Sequence, residues 1–191
     1  MKEAAIWLNL HNALPKLDSP EFNIDAGLEK WQKPPPSFLK CNVGSSWDGA
    51  TLTCGGEWLV RDEQGNVLLH SRRSFSQIES SLQAKLVALQ WAAAAMCDLK
   101  LKKVIIESSA LEIKNSMDHP QLSLENYTNC SYALSTIHSI MGGSLSFVPI
   151  SCNNSATTIA DSVTRDQRHH SYVAWKGTRW LSSQIRQEAS A

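Results

Sequence analysis

The segment at 79–98 constrains the fold more than any other part of this sequence. Its apolar residues recur at the three- and four-residue spacing of an α-helix, as Leu82, Leu86, Leu89, Ala93 and Met96. The apolar surface is widened by Val87, Ala88 and Trp91. A helix that is apolar on so much of its circumference must be covered by other elements. The sequence therefore predicts a long helix that is buried on most sides.

Strand-like segments lie on both sides of this helix. Three precede it, at 38–45, 51–61 and 67–76, and the turn Asp62-Glu-Gln-Gly-Asn66 joins the last two as an antiparallel hairpin. After the helix, strands at 103–108 and 145–148 alternate with helices at 110–117, 124–141 and 155–167. This order predicts an α/β fold with a five-stranded mixed sheet, three antiparallel strands followed by alternating α and β elements, flanked by helices.

The run Pro34-Pro35-Pro36 predicts a stiff spacer and divides the chain. We expect an N-terminal segment at 1–36 with a short helix at 4–14, a folded domain at 37–170, and a C-terminal tail at 171–191 with a helix at 178–187. The first ten residues are interrupted by Glu3 and Asn9, which predicts neither a signal peptide nor a membrane span.

Charge and cysteine content restrict the class of protein. Lys plus Arg is 18 and Asp plus Glu is 18, so bulk charge does not indicate a strongly basic nucleic-acid binder, and phosphate binding would need a local basic patch. The cysteines number 5 and none forms a CxxC pair, which argues against a zinc knuckle or a disulfide scaffold. We expect reduced thiols in an intracellular compartment, the cytoplasm or the nucleus.

Five motifs follow one another along the chain. They are Trp31-Gln-Lys-Pro-Pro-Pro with Lys40-Cys-Asn-Val43, Gly55-Gly-Glu-Trp-Leu-Val-Arg-Asp62, the helix 80–91, Val104-Ile-Ile-Glu-Ser-Ser109, and Phe147-Val-Pro149 with Ala160-Asp161. In this order they resemble the plant reverse transcriptase-like, ribonuclease H-like domain over residues 31–168. The resemblance implies the ribonuclease H fold and hydrolysis of the RNA strand of RNA–DNA hybrids. It also implies two Mg²⁺ ions held by four acidic side chains, which activate water and stabilise the leaving oxygen.

The resemblance places the family's four acids here at Gly44, Lys85, Ser109 and Asp161. Only the last is acidic, since glycine offers no side-chain ligand, lysine is a cation and serine is a weak neutral ligand. We therefore predict an inactive chain that binds no metal and needs no cofactor. Glu107 and Asp48 are the alternative acids for a rearranged Mg²⁺ site, although Asp48 also fits a turn and Glu107 matches a separate family position.

Lys85 lies on the core-facing side of the predicted helix, at an angle close to those of Leu89 and Met96. A buried cation needs a partner, and we hypothesise that Lys85 pairs with Asp161 and fills the former metal site. The alternative is that Lys85 extends past the helix to solvent. If the pair exists, the combined substitutions Gly44→Asp, Lys85→Glu and Ser109→Asp should create Mg²⁺ affinity that the native chain lacks.

Other polar and aromatic residues remain candidates for binding. By the resemblance, Ser45 and Ser81 lie where the family contacts the nucleic-acid backbone. Basic runs at 100–103 and 165–179 could contact phosphates, but such runs are more often solvated surface. Trp175 and Trp180 could stack on bases or dock on the domain, and we favour docking. His169-His170 has no third ligand at a useful spacing, so we do not predict a metal site there.

The sequence therefore favours a non-catalytic ribonuclease H-like domain that retains weak binding to RNA or to an RNA–DNA hybrid. One alternative is an active hybrid ribonuclease that uses Asp161, Glu107 and Asp48 in a rearranged site. Another is a protein-interaction module with no nucleic-acid partner. We expect no membrane partner.

Overall fold

The computed structural model describes residues 29–121 and 123–190, so the predicted helix at 4–14 lies outside the described residues. Within them, the strands are β1 (Leu39–Asp48), β2 (Thr53–Arg61), β3 (Val67–Phe75), β4 (Val104–Ser108), β5 (Ser144–Phe147) and β6 (Tyr172–Trp175). The α-helices are α1 (Ser81–Asp98), α2 (Leu111–Asp118), α3 (Leu124–Ser139), α4 (Asn154–Thr164) and α5 (Ser182–Ala189). The short 3₁₀ turns Ile150–Asn153 and Arg179–Leu181 lead into α4 and α5.

All six strands belong to one sheet in the order β5-β4-β1-β2-β3-β6. Strands β1, β2, β3 and β6 pair antiparallel, whereas β4 pairs parallel with both β1 and β5. This is the predicted mixed α/β arrangement. The described sheet has one strand more than predicted, because Tyr172–Trp175 adds to the edge of β3. Part of the segment that we expected to be a tail therefore belongs to the sheet.

Local signals set the start of the long helix and the central hairpin. Ser80 caps α1, and its side chain accepts a hydrogen bond from the backbone N–H of Gln83. In the turn between β2 and β3, the Asp62 carboxylate accepts from the backbone N–H of Asn66, and Gly65 adopts a φ of +87°. The polar turn therefore forms where its sequence predicted it.

The two faces of the sheet have different chemistry. One face packs against α1 and α3 in the main apolar core, which includes Trp58, Leu89, Ile106, Ile113 and Ile137. The other face is covered by α4 and α5, where Ile159, Leu181 and Ile185 form a smaller apolar cluster. Beside that cluster lies a buried polar layer made by Asn42, Glu57, Arg61, Arg72 and Glu107. In the described part of the chain, no helix is long and apolar enough to cross a bilayer.

Trp31 ties the N-terminal segment to the polar layer. Its side chain is 2% exposed, and its indole N–H donates to Glu107 Oε2 over 3.0 Å. The guanidinium of Arg61 lies 4.2 Å from the centre of the indole ring, within cation–π range. Pro34 is also buried. The proline-rich stretch that we expected to be a spacer therefore follows a residue already packed on the folded domain.

Candidate functional site

Gly44 lies where α4 crosses β1 at very short range. A Cβ atom at this position would lie 2.3 Å from the carbonyl oxygen of Ala156 and 2.9 Å from the backbone nitrogen of Thr157. Both contacts are with helix backbone, which cannot swing away as a side chain can. Glycine is therefore the residue that lets α4 approach β1, and the helix occupies the space that a carboxylate at position 44 would need.

Asn153 joins the three elements that meet at this point. It is buried at the end of the 3₁₀ turn, and its side-chain amide donates to the carbonyl oxygen of Val43 over 2.7 Å. The same nitrogen lies 3.4 Å from Ser109 Oγ, just after β4. Sequence analysis missed this residue, because its partners on β1 and after β4 are distant along the chain. The amide links β1, β4 and α4 and fills the space between them.

Asp161 lies further along α4 than the residues that contact Gly44. It follows Ala156 by five positions, or about 7.5 Å along the helix axis. At its level the helix faces Ser46, whose hydroxyl donates to the carbonyl oxygen of Ala160 over 2.8 Å. Partial burial raises the pKa of Asp161, and the charge of Arg165 opposes this rise.

Lys85 does not pair with Asp161, and that hypothesis was wrong. The ammonium of Lys85 instead donates to the carboxylate of Glu112 in the first turn of α2, where both side chains retain contact with solvent. This hydrogen bond lowers the pKa of Glu112. The helical wheel correctly placed Lys85 on a covered side of α1, but it could not show that α2 lies there. The sequence did contain a possible partner for Lys85, because Glu112 is an acid in the first turn of the predicted helix at 110–117.

The two alternative acids have other partners. Glu107 is buried in the polar layer, where it makes an ion pair with Lys40 at 2.6 Å and accepts hydrogen bonds from Trp31 and Asn42. Asp48 ends β1 and accepts from the backbone N–H of Ala50. The Thr51 hydroxyl donates a second hydrogen bond, and this bond, together with the weaker effect of the Ala50 bond, lowers the pKa of Asp48.

The donor atoms around Gly44 do not fit Mg²⁺. They are the amide of Asn153, the hydroxyl of Ser109 and the backbone of α4. Mg²⁺ is held in proteins by carboxylates in near-octahedral geometry, and none of these groups is one. Across residues 29–121 and 123–190, no group of three or more His, Cys, Asp or Glu side chains is placed to hold a metal ion.

The remaining candidates lie mostly at the surface. Ser45 is half-buried on β1, and Ser81 is exposed at the first position of α1. Trp175 is 79% exposed, so the docking that we favoured for it was wrong. Trp180 is 45% exposed and lies under the guanidinium of Arg168, 5.1 Å from the ring centre.

Comparison with known proteins identifies the fold. The family model described as reverse transcriptase-like matches residues 42–163. RNase H1 from the halophilic archaeon Halobacterium salinarum superposes with a TM-score of 0.59 at 13% identity, over 67% of this chain and 98% of that chain. LC9-RNase H1, a type 1 RNase H with the type 2 active-site motif, gives a TM-score of 0.57 at 14% identity, over 83% and 87%. Among curated proteins, none matches. The predicted ribonuclease H-like fold is confirmed.

Proposed function

This chain belongs to the reverse transcriptase-like family, and we propose that it is a ribonuclease H-like domain that binds nucleic acid without cleaving it. The single observation that carries the proposal is the close approach of α4 to Gly44, where an added Cβ would lie 2.3 Å from the Ala156 carbonyl oxygen. A helix in that position leaves no room for a metal ligand at position 44. Two-metal hydrolysis needs carboxylates on both sides of a paired ion site, and position 44 of β1 supplies none.

The loss of acids reduces the negative charge that a phosphate group would encounter at this site. The family's carboxylates repel a nucleic-acid backbone unless bound Mg²⁺ neutralises them. Here Lys85 and Glu112 cancel one another, and Asp161 is the only acid at the four positions of the family's carboxylates. Two like charges 4 Å apart repel by about 4 kcal/mol at an effective dielectric near 20, so removing them favours metal-free binding. We infer that Ser45 and Ser81 face the backbone and that neither binding nor folding needs Mg²⁺.

A labelled RNA–DNA hybrid tests both halves of the proposal. We expect no cleavage products with Mg²⁺ or Mn²⁺, and we expect binding that weakens as salt rises and is unchanged by EDTA. Magnesium-dependent products from the native chain would contradict the proposal and support the rearranged site. Absence of binding even at low salt would contradict the retained nucleic-acid partner.

A charge variant locates the binding face. Ser81→Glu adds a negative charge at the exposed start of α1 and should weaken hybrid binding about fivefold, the size of an interaction of about 1 kcal/mol. Ser135→Glu adds the same charge on the exposed face of α3 and serves as the matched control. Equal affinity of the two variants would place the hybrid on another surface.

A protein-interaction role is the second candidate, and exposed apolar side chains favour it. Leu124 and Tyr132 project from α3, and Leu111 is exposed at the start of α2. Exposed apolar side chains are typical of protein contact surfaces when they form a continuous patch. This candidate gains support if the native chain fails to bind the hybrid in the low-salt titration.

A further inference from the structure

A groove lies at the end of the sheet where β2 turns into β3. It is bounded by the turn at 64–66, by the residues that follow β6, by α5, and by Lys33 of the N-terminal segment. This open groove has a volume of about 1000 Å³, at the upper end of the range for small-molecule sites. None of its lining residues belongs to the site around Gly44.

The floor of the groove is apolar and well defined. Val67 of β3 and Ile185 of α5 meet at Gly177, where an added Cβ would lie 3.0 Å from Ile185 Cδ1 and 3.5 Å from Val67 Cγ2. Amides and hydroxyls of the 64–66 turn and of α5 line the walls. A floor of this kind suits a flat, partly apolar group, and the polar walls can fix its orientation.

The charges that line the groove are all positive. Lys33, Lys176 and Arg186 line it together with no acidic side chain. All three are exposed, and none of them takes part in an ion pair with another described residue. The chain as a whole has a net charge of zero, so this is a local concentration of one sign. Such a groove attracts anions.

Trp175 supplies an aromatic surface beside these cations. Its indole is 79% exposed at the end of β6 and lines the groove next to Lys176. Exposing a tryptophan forgoes the stabilisation that burial of so large a side chain would give. An exposed indole beside clustered cations is the combination by which proteins hold an unpaired base and its phosphate.

We propose that this groove binds a nucleotide with an unpaired base, the base stacked on Trp175 and the phosphate held by Lys33, Lys176 and Arg186. A base inside a duplex is covered by its neighbours and cannot stack in this way. The ligand is therefore a free nucleotide or a nucleotide of a single strand. The site is separate from the hybrid-binding face, so the two can succeed or fail independently.

Calorimetric titration of the full chain with AMP, adenosine and inorganic phosphate tests this chemistry. AMP should bind at least tenfold more tightly than either fragment, because only AMP engages both the indole and the cations. Equal affinity for phosphate and AMP would overturn the stacking, and no binding of AMP or of a single strand would overturn the site. A labelled oligoadenylate of eight nucleotides separates the two sources: tighter, salt-dependent binding indicates a strand, and affinity equal to that of AMP indicates a free nucleotide.

Matched variants test whether the binding occurs in the groove. Trp175→Ala should weaken binding of the tighter probe about tenfold, whereas Trp180→Ala should leave it unchanged. The double variant Lys33→Gln with Arg186→Gln should weaken binding tenfold or more, and the exposed pair Lys100→Gln with Lys102→Gln is its control. Each substituted groove residue is exposed, so circular dichroism should show native folding. Groove variants that bind as tightly as their controls would overturn the proposal.

Discussion

Gly44 shows how one residue can fix the position of a helix. Gly44→Asp should destabilise the fold by about 3 kcal/mol, because its Cβ alone overlaps the backbone of α4. Equilibrium unfolding in urea measures this loss. Gly49→Asp is the control, since a Cβ there meets only the movable ring of Trp47 at 3.0 Å, and we expect a change below about 1 kcal/mol. Equal stability of the two variants would mean that α4 can move away from β1.

Glu57 lies opposite Gly44 on β1 and opposite Arg72 on β3, in the polar layer beneath α4. It is 0% exposed, and neither carboxylate oxygen has a hydrogen-bond partner among the described residues. Burial raises the pKa of Glu57 well above its usual range, and attraction to Arg61 only partly opposes this. At pH values between the ordinary glutamate pKa and this raised pKa, the folded protein holds a proton that the unfolded chain has released.

The raised pKa of Glu57 makes stability depend on pH. From about pH 5 up to the folded pKa, the folded state binds more protons than the unfolded state, so Glu57 lowers stability by up to about 1.4 kcal/mol per pH unit as pH rises. Glu57→Gln cannot ionise and should be more stable than the native chain at neutral pH, with a flatter profile. Urea unfolding between pH 5 and pH 8 measures this. A profile as steep as that of the exposed control Glu79→Gln would contradict it.

At the scale of elements, Trp31 tests where the folded domain begins. Trp31→Ala should cost about 3–5 kcal/mol, because it removes a buried indole and leaves Glu107 without one of its donors. Trp175→Ala is the matched control and should change stability by less than about 0.5 kcal/mol, since that side chain is exposed. Urea unfolding midpoints compare the two. Similar midpoints would support the start of the folded domain at residue 37, as the sequence predicted.

Elements with strong periodicity were predicted well from the sequence. The apolar spacing predicted the ends of α1 to within about two residues, and the polar residues at 62–66 predicted the turn between β2 and β3. β6 was missed because four residues are too few to show a strand period, and its pairing with β3 is a long-range contact. The burial of Trp31 was missed for a similar reason, because the groups that contact it, Glu107 and Arg61, belong to strands distant along the chain.

At the scale of the whole molecule, the site was predicted in part. The family motifs named Gly44 on β1 and Ser109 just after β4. These two strands are neighbours in the sheet, so their register fixes how close the two positions lie. The motifs do not give the start of α4, which follows directly on the turn Ile150–Asn153. They also could not give the partner of Lys85, since that depends on how α2 packs beside α1. Sequence spacing therefore predicts which residues belong to one element better than it predicts which elements contact each other.

The C-terminal segment closes the polar layer through a single ion pair. Arg61 is 1% exposed, and its guanidinium lies 2.6 Å from Glu188 Oε2 of α5. The other Glu188 oxygen accepts from the backbone N–H of Ser155 at the start of α4 over 2.9 Å. One carboxylate thus connects β2, α4 and α5.

Glu188→Gln tests whether residues 171–191 belong to the folded unit. It should cost about 3–5 kcal/mol, because it removes the ion-pair partner of the buried Arg61. The exposed pair Lys114–Asp118 supplies the control: Asp118→Asn should cost less than about 1 kcal/mol, since water screens that pair. Urea unfolding measures both variants. A small effect of Glu188→Gln would mean that Arg61 reaches solvent when α5 is loosened and that the domain folds without its last helix.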